Sequence, residues 1–147
     1  MERVDFALRR RFIWELHDYK PETLNEIIYY RLNKAIDKGL IKDYDDIAPT
    51  EIEDFSNKST ELNKKVTEEM GETYHIGHTF FAEIANLYIK LKENNTDNSW
   101  AKAKDILWQI SIRPTLEAYC GTMEEHQKIE FLGDSKKSGV FYKAFFN

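Results

Sequence analysis

Three consecutive guanidinium groups, Arg9-Arg10-Arg11, run directly into the apolar stretch Phe12-Ile13-Trp14-Glu15-Leu16. Two chemistries fit such a cluster. Basic residues favour a helix C-terminus, where they offset the partial negative charge of the last carbonyls. Alternatively, planar guanidinium forks can reach across a subunit boundary and stabilise negative charge on a transferring phosphoryl group. His75 and His78 stand three apart with Glu72 close by, but the order is not H-E-x-x-H and no third ligand is evident, so a metal site is not expected. In that segment Gly77 permits a tight turn, and His78 or Thr79 can cap a following helix. His17, Asp18 and Ser99 or Ser111 can be assembled on paper into a nucleophile set, yet no G-x-S-x-G elbow supports one. Asp43-Tyr44-Asp45-Asp46 lacks the glycine and terminal glutamate of a calcium loop.

Absent motifs exclude as much as present ones suggest. No glycine begins a G-x-x-x-x-G-K-[S/T] loop, there is no G-x-G-x-x-G, and no apolar strand ends in Asp-Glu. No motif for cradling a nucleotide is visible in the 147 residues. Acidic side chains number 26 against 21 basic ones, giving a formal charge of −5, so phosphate neutralisation alone is a poor basis for holding nucleic acid. A DNA contact would be local, drawing on Arg9 to Arg11 with Lys64, Lys65, Lys136 and Lys137. The single cysteine, Cys120, can form no internal disulfide. With a mean hydropathy of −0.63 and no apolar run near ~20 residues, no membrane span is expected. The start, Met1-Glu2-Arg3-Val4-Asp5, lacks the order of a signal peptide, which points to the cytoplasm.

The elements that must position these residues read as mainly α: a helical bundle preceded by one short strand over 12–17. Pro21 suits a first helical position, and Leu24, Ile27, Ile28, Leu32, Ala35 and Ile36 form one apolar stripe before Gly39. Thr50 with Glu53 has capping-box spacing, ahead of Ile52, Phe55, Leu62, Val66 and Met70. A third helix is predicted over 79–93, with Phe80, Phe81, Ile84, Leu87, Tyr88 and Leu91 facing inward. A fourth, capped by Ser99, carries Trp100, Ala103, Ile106, Leu107 and Ile110 until Pro114 kinks or splits it. Thr122 to Leu132 is a last short helix, and 133–147 a tail whose Val140-Phe141-Tyr142 and Phe145-Phe146 are too aromatic for free solvent. The three tryptophans, Trp14, Trp100 and Trp108, fall on apolar faces and are expected in the core.

Against this frame of elements, Val4-Asp5-Phe6-Ala7-Leu8-Arg9-Arg10-Arg11-Phe12 resembles the D-x-A-L-R-R-R-F segment of McrB-family AAA+ motors, the GTPase subunits of modification-dependent restriction systems. Tyr74-His75-Ile76-Gly77-His78-Thr79-Phe80-Phe81 is similar to the family's I-G-H-[S/T]-[Y/F]-F segment. Ile112-Arg113-Pro114-Thr115-Leu116-Glu117-Ala118-Tyr119 resembles its I-x-P-L-L-E-E-Y segment, and Leu132-Gly133-Asp134-Ser135 its C-terminal end. The four occur in the family's order over nearly the whole chain.

The resemblance implies the later part of a larger motor: residues 1–20 as the end of the AAA+ core, 21–135 as a helical lid, and 136–147 as a tail extending beyond the family's usual end. Arg10 and Arg11 match the arginine-finger positions, acting in trans on GTP or ATP with Mg held by the neighbouring subunit of a ring. Gly77 and His78 lie in a loop that would face the nucleotide's base or ribose. The implied partners are further motor subunits, an McrC-like endonuclease, and DNA through the assembly. Alone, with the phosphate-binding loop and acidic metal-binding strand missing, the chain is expected to be an inactive remnant or incomplete subunit. Two other readings remain: a helical protein-interaction module whose aromatic tail docks on a partner, and a weak DNA-binding helical domain.

Overall fold

The computed structural model describes residues 20–71, 73–121, 123–133 and 138–147. Among them the chain is mainly helical, the class expected. The expected strand over 12–17 lies outside the described residues. The elements are α1 (Pro21–Asp37), α2 (Pro49–Met70), α3 (His78–Glu93), α4 (Ser99–Leu107), a π-helical turn (Trp108–Ile112), α5 (Arg113–Tyr119), α6 (Glu125–Leu132) and α7 (Val140–Phe146). No helix of the described residues is long and apolar enough to cross a membrane.

Helix α1 begins at Pro21, whose missing N–H costs nothing in the first turn. Its apolar stripe buries Leu24, Ile28, Leu32 and Ala35. Beyond it Gly39 takes φ +75°, and the Leu40 N–H donates to the Ala35 carbonyl at 2.9 Å, closing the helix end. Helix α2 starts one residue before Thr50. Pro49 occupies its first position, and the Glu51 carboxylate accepts from the Ala48 N–H at 2.9 Å. The proline fixes the start, so the reciprocal glutamate is Glu51 and not Glu53.

Helix α3 starts at His78, with Gly77 as its N-cap and no side-chain cap, so neither His78 nor Thr79 caps it. Ser99 likewise does not cap α4. Asn98 stands at the N-cap in a left-handed conformation, while the buried Ser99 hydroxyl donates back to the Thr96 carbonyl at 2.6 Å. Phe80, expected inward, is 41% exposed, because the inward face of α3 runs through Phe81, Ile84, Ala85 and Tyr88.

Pro114 splits the fourth helix, as expected: α4 ends at Leu107 and α5 begins at Arg113, with the π-turn between them. A proline ring collides with the carbonyl four residues back, here that of Ile110, and offers no N–H to it. The chain widens by one residue into a π-turn in which the Arg113 N–H bonds to the Trp108 carbonyl, five residues earlier. Helix α5 then continues. The extra residue moves the inward stripe to Trp108, Ile112 and Leu116, leaving Ile110 59% exposed.

Residues 140–146, read as part of a tail, form α7, which packs on α2 and α6. Phe141 and Phe145 are fully buried. Phe145 stacks on Trp108 with centroids 5.7 Å apart and meets Phe55 edge-on at 5.7 Å, and Phe141 stacks on Phe131 at 5.3 Å. The α6–α7 connection needs glycine twice. A Cβ on Gly139 (φ +98°) would lie 2.5 Å from the Phe131 carbonyl oxygen, and one on Gly133 (φ +78°) would lie 2.5 Å from the Ser138 carbonyl carbon. Trp100 and Trp108 are core residues, as expected.

Candidate functional site

The segment 74–78 between α2 and α3 is fastened by side chains from two helices. Asn63, on the inward face of α2 between the buried Ser59 and Val66, donates to the Ile76 carbonyl at 2.8 Å and accepts from the Ile76 N–H at 2.7 Å. An asparagine amide carries one donor pair and one acceptor, so it completes both backbone polar groups of a residue that the helices leave unpaired. From the other side the Tyr119 hydroxyl, at the end of α5, donates to the His75 carbonyl at 2.8 Å. The Tyr119 ring meets Tyr74 edge-on at 5.1 Å. His75 is buried at 4% exposure, Ile76 at 1%, and Gly77 is buried at the start of α3. His78 remains half exposed.

At the other end of the same helix, Arg113 opens α5 and ties it to α6. Its Nε donates to Glu117 at 2.9 Å, and one terminal nitrogen donates to the Leu132 carbonyl at 3.2 Å. Segment 74–78, α5 and the C-terminal end of α6 therefore form one connected polar junction. Both expected loop residues, Gly77 and His78, belong to it. Arg10 and Arg11 lie outside the described residues, as do Asp5, His17 and Asp18.

The acidic run has structural partners. Asp46 accepts from the Tyr88 hydroxyl and pairs with Lys92 at 3.3 Å, and Asp43 accepts from the Asp45 N–H at 3.1 Å, so the acidic run is a folded loop against α3. Burial, reinforced by the Asp46 hydrogen bond and charge, pushes the Tyr88 phenol well above its ordinary range. Burial also pushes the Cys120 thiol up, which is the opposite of nucleophile activation. Lys104 moves down, again through burial, with its ammonium 4.9 Å and 4.8 Å from the Phe145 and Phe146 ring centroids. Among the described residues no three His, Cys, Asp or Glu side chains are gathered as a metal site.

Sequence reasoning passed over Asn63, whose signal was a polar amide inside an apolar stripe. It also passed over Arg31, Lys34, Lys38 and Lys90, which two separate helices bring to one groove. Comparison with protein-family models, curated proteins and solved structures finds no match to this chain.

Proposed function

We propose that the chain is the lid and arginine-finger portion of a McrB-like AAA+ NTPase that drives DNA restriction with an McrC-like endonuclease. One observation supports this reading above the others. Three of the four segments that carry the resemblance, far apart in sequence, meet at one junction: Tyr74–Phe81 touches Ile112–Tyr119 through Tyr119 and His75, and the latter touches Leu132 through Arg113. Residues that matter to one another are expected to be neighbours, and chance matches scattered over a helical bundle have no reason to be.

In this reading the residues present fit only the periphery of a nucleotide. Gly77 and the half-exposed His78 sit on a loop whose backbone is pinned on both sides, so the lid presents a fixed edge to the base or ribose. Arg10 and Arg11 serve as the trans-acting fingers, whose guanidinium groups stabilise charge on the phosphoryl group transferring in a neighbouring subunit. Fingers of this kind are worth on the order of 10³ to 10⁵ in rate. Mg-bound GTP or ATP supplies the phosphoryl group itself and is held by a motor core, which contributes the phosphate loop and acidic strand this chain lacks. The interaction-module reading loses its docking element, because Phe141 and Phe145 are already occupied by the chain's own core. The DNA-binding reading retains little among the described residues: Lys65 is paired with Glu68 and Glu69, and only Lys64 stands exposed.

The test expresses the coding sequence immediately upstream as one polypeptide with residues 1–147 and measures GTP and ATP hydrolysis. The joined protein should turn over nucleotide, the chain alone negligibly, and Arg11→Ala should lose three or more orders of magnitude. Mixing Arg11→Ala subunits with subunits defective in the phosphate loop but intact at Arg10 and Arg11 should restore part of the rate. Absence of an upstream phosphate loop, or full turnover by an Arg10→Ala, Arg11→Ala double variant, overturns the proposal.

A further inference from the structure

The last turns of α1 and α3 flank an open groove of about 430 Å³. Its floor is apolar, made by Ala35, Ile89 and the 46% exposed Leu40, and Tyr30 stands over it 63% exposed. Its rim is basic, with Arg31, Lys34 and Lys38 from the α1 side and Lys90 from α3. Glu93 is the one carboxylate in the lining, and the two helix ends contribute roughly half a negative charge each. Four cations exceed that sum even with Glu83, which pairs with Arg31, added to it, so the groove is positive in a chain whose formal charge is −5.

Three of these cations are not consumed internally. Among the described residues, no carboxylate lies within ion-pair distance of Lys34, Lys38 or Lys90; Lys34 instead lies 5.8 Å from the Tyr30 ring centroid. Arg31 is 3.6 Å from Glu83, too far for a hydrogen bond, and its buried terminal nitrogen has no other acceptor.

A complementary surface exists on the same molecule. Helix α6 exposes Ile129, at 49%, beside Glu125 and Glu130, with Glu124 just before the helix. Glu125 and Ile129 are four apart and share one face. Lys128, the one basic residue there apart from His126, is half buried. The eight residues of α6 span about 12 Å, the same rise as Tyr30 to Lys38 along the groove wall.

We propose that α6 of a second copy docks in this groove, with Ile129 on the apolar floor and Glu125 and Glu130 against Lys34, Lys38 and Lys90. The contact is heterologous, groove to helix, so it propagates head to tail into a ring or a filament and does not close as a symmetric dimer. One helix in one groove is a small interface, hence weak and salt-sensitive when isolated. Charge complementarity and two matched apolar exposures argue for it, and nucleic acid is disfavoured because its backbone would leave the apolar floor uncovered. The proposal needs neither nucleotide nor Arg10 and Arg11, so it stands or falls separately from the motor reading.

Sedimentation velocity of the full chain over a rising concentration series, in low and high salt, tests it. The wild type should associate with concentration, roughly tenfold more weakly in high salt. Lys34→Glu with Lys38→Glu should remain monomeric, and so should Glu125→Lys with Glu130→Lys. Ile129→Ser, which leaves the α6 charges intact, should weaken association as well. Each variant keeps one native face, and the reversed groove and reversed helix are again opposite in charge, so mixing the two charge-reversed proteins should restore association, with circular dichroism showing unchanged helix content. A wild type that stays monomeric throughout, reversed variants that associate like the wild type, or a mixture that fails to pair overturns the proposal. So does saturable binding of a labelled single-stranded oligonucleotide that Lys34→Glu with Lys38→Glu abolishes while the wild type stays monomeric; that result assigns the groove to phosphate.

Discussion

Asn63 and Ile76 exchange two hydrogen bonds, 2.8 Å from the amide nitrogen to the carbonyl and 2.7 Å from the backbone N–H to the amide oxygen, in a site with almost no solvent. A helix side chain here does the work of a β-ladder for one residue of loop, and it sets where α3 begins. Asn63→Leu is close in volume but leaves a buried N–H and a buried carbonyl unpaired. It should cost about 3 kcal/mol in urea unfolding. Loss under 1 kcal/mol would mean that the loop relaxes without its clamp.

Tyr119→Phe separates the polar from the packing half of the same junction. The ring against Tyr74 at 5.1 Å remains, while the bond to the His75 carbonyl disappears. A loss of about 1 kcal/mol is expected, together with faster amide hydrogen exchange confined to 74–78. Uniformly faster exchange across the bundle would contradict a local role.

Helix α7 should behave as core. Phe145 touches Phe55, Phe81 and Trp108, three residues on three different elements. Phe145→Ala should therefore cost about 3 to 5 kcal/mol. Lys143→Ala, on the exposed side of the same helix, should stay within about 0.5 kcal/mol. Thermal melts of the pair decide whether the C-terminal aromatics belong to this fold or wait for a partner.

The stripes of α1 and α2 were legible because each is a plain 3.6-residue repeat: Leu24, Ile28, Leu32 and Ala35, then Ile52, Phe55, Leu62 and Val66. Legibility failed where geometry departs from that period. Ile110 fits the α repeat and lies outside because the π-turn before Pro114 inserts a residue, which periodicity cannot register. Helix α7 is seven residues long, too short for a repeat, and its spacing of four between Phe141 and Phe145 is the only hint. Caps failed at Thr50 and Ser99 because other residues, Pro49 and Asn98, fix the starts. At the candidate site, Gly77 and His78 could be found as motif residues, whereas Asn63 becomes visible only when two helices and a loop are brought together. Of the groove cations, Arg31, Lys34 and Lys38 are spaced three and four apart, but Lys90 joins them from more than fifty residues along the chain, which no sequence pattern records.

Tyr88 gives the fold a defined response to alkali. Its phenol is buried, donates to Asp46 and is held well above its ordinary value of 10.0. Below pH 10 both folded and unfolded chains keep that proton, so the contribution is intact. Above it the unfolded chain releases the proton and the folded chain does not, so the unfolded state binds fewer protons and stability falls as pH rises. Tyr142 and Cys120 are shifted upward as well and act in the same direction. Tyr88→Phe should lose about 1.5 to 3 kcal/mol at pH 7 through the missing bond to a carboxylate. It should also flatten, without abolishing, the decline in urea stability above pH 10. An unchanged alkaline slope in Tyr88→Phe would show that the phenol ionises as readily in the folded chain as in the unfolded one, and that Asp46 does not hold its proton.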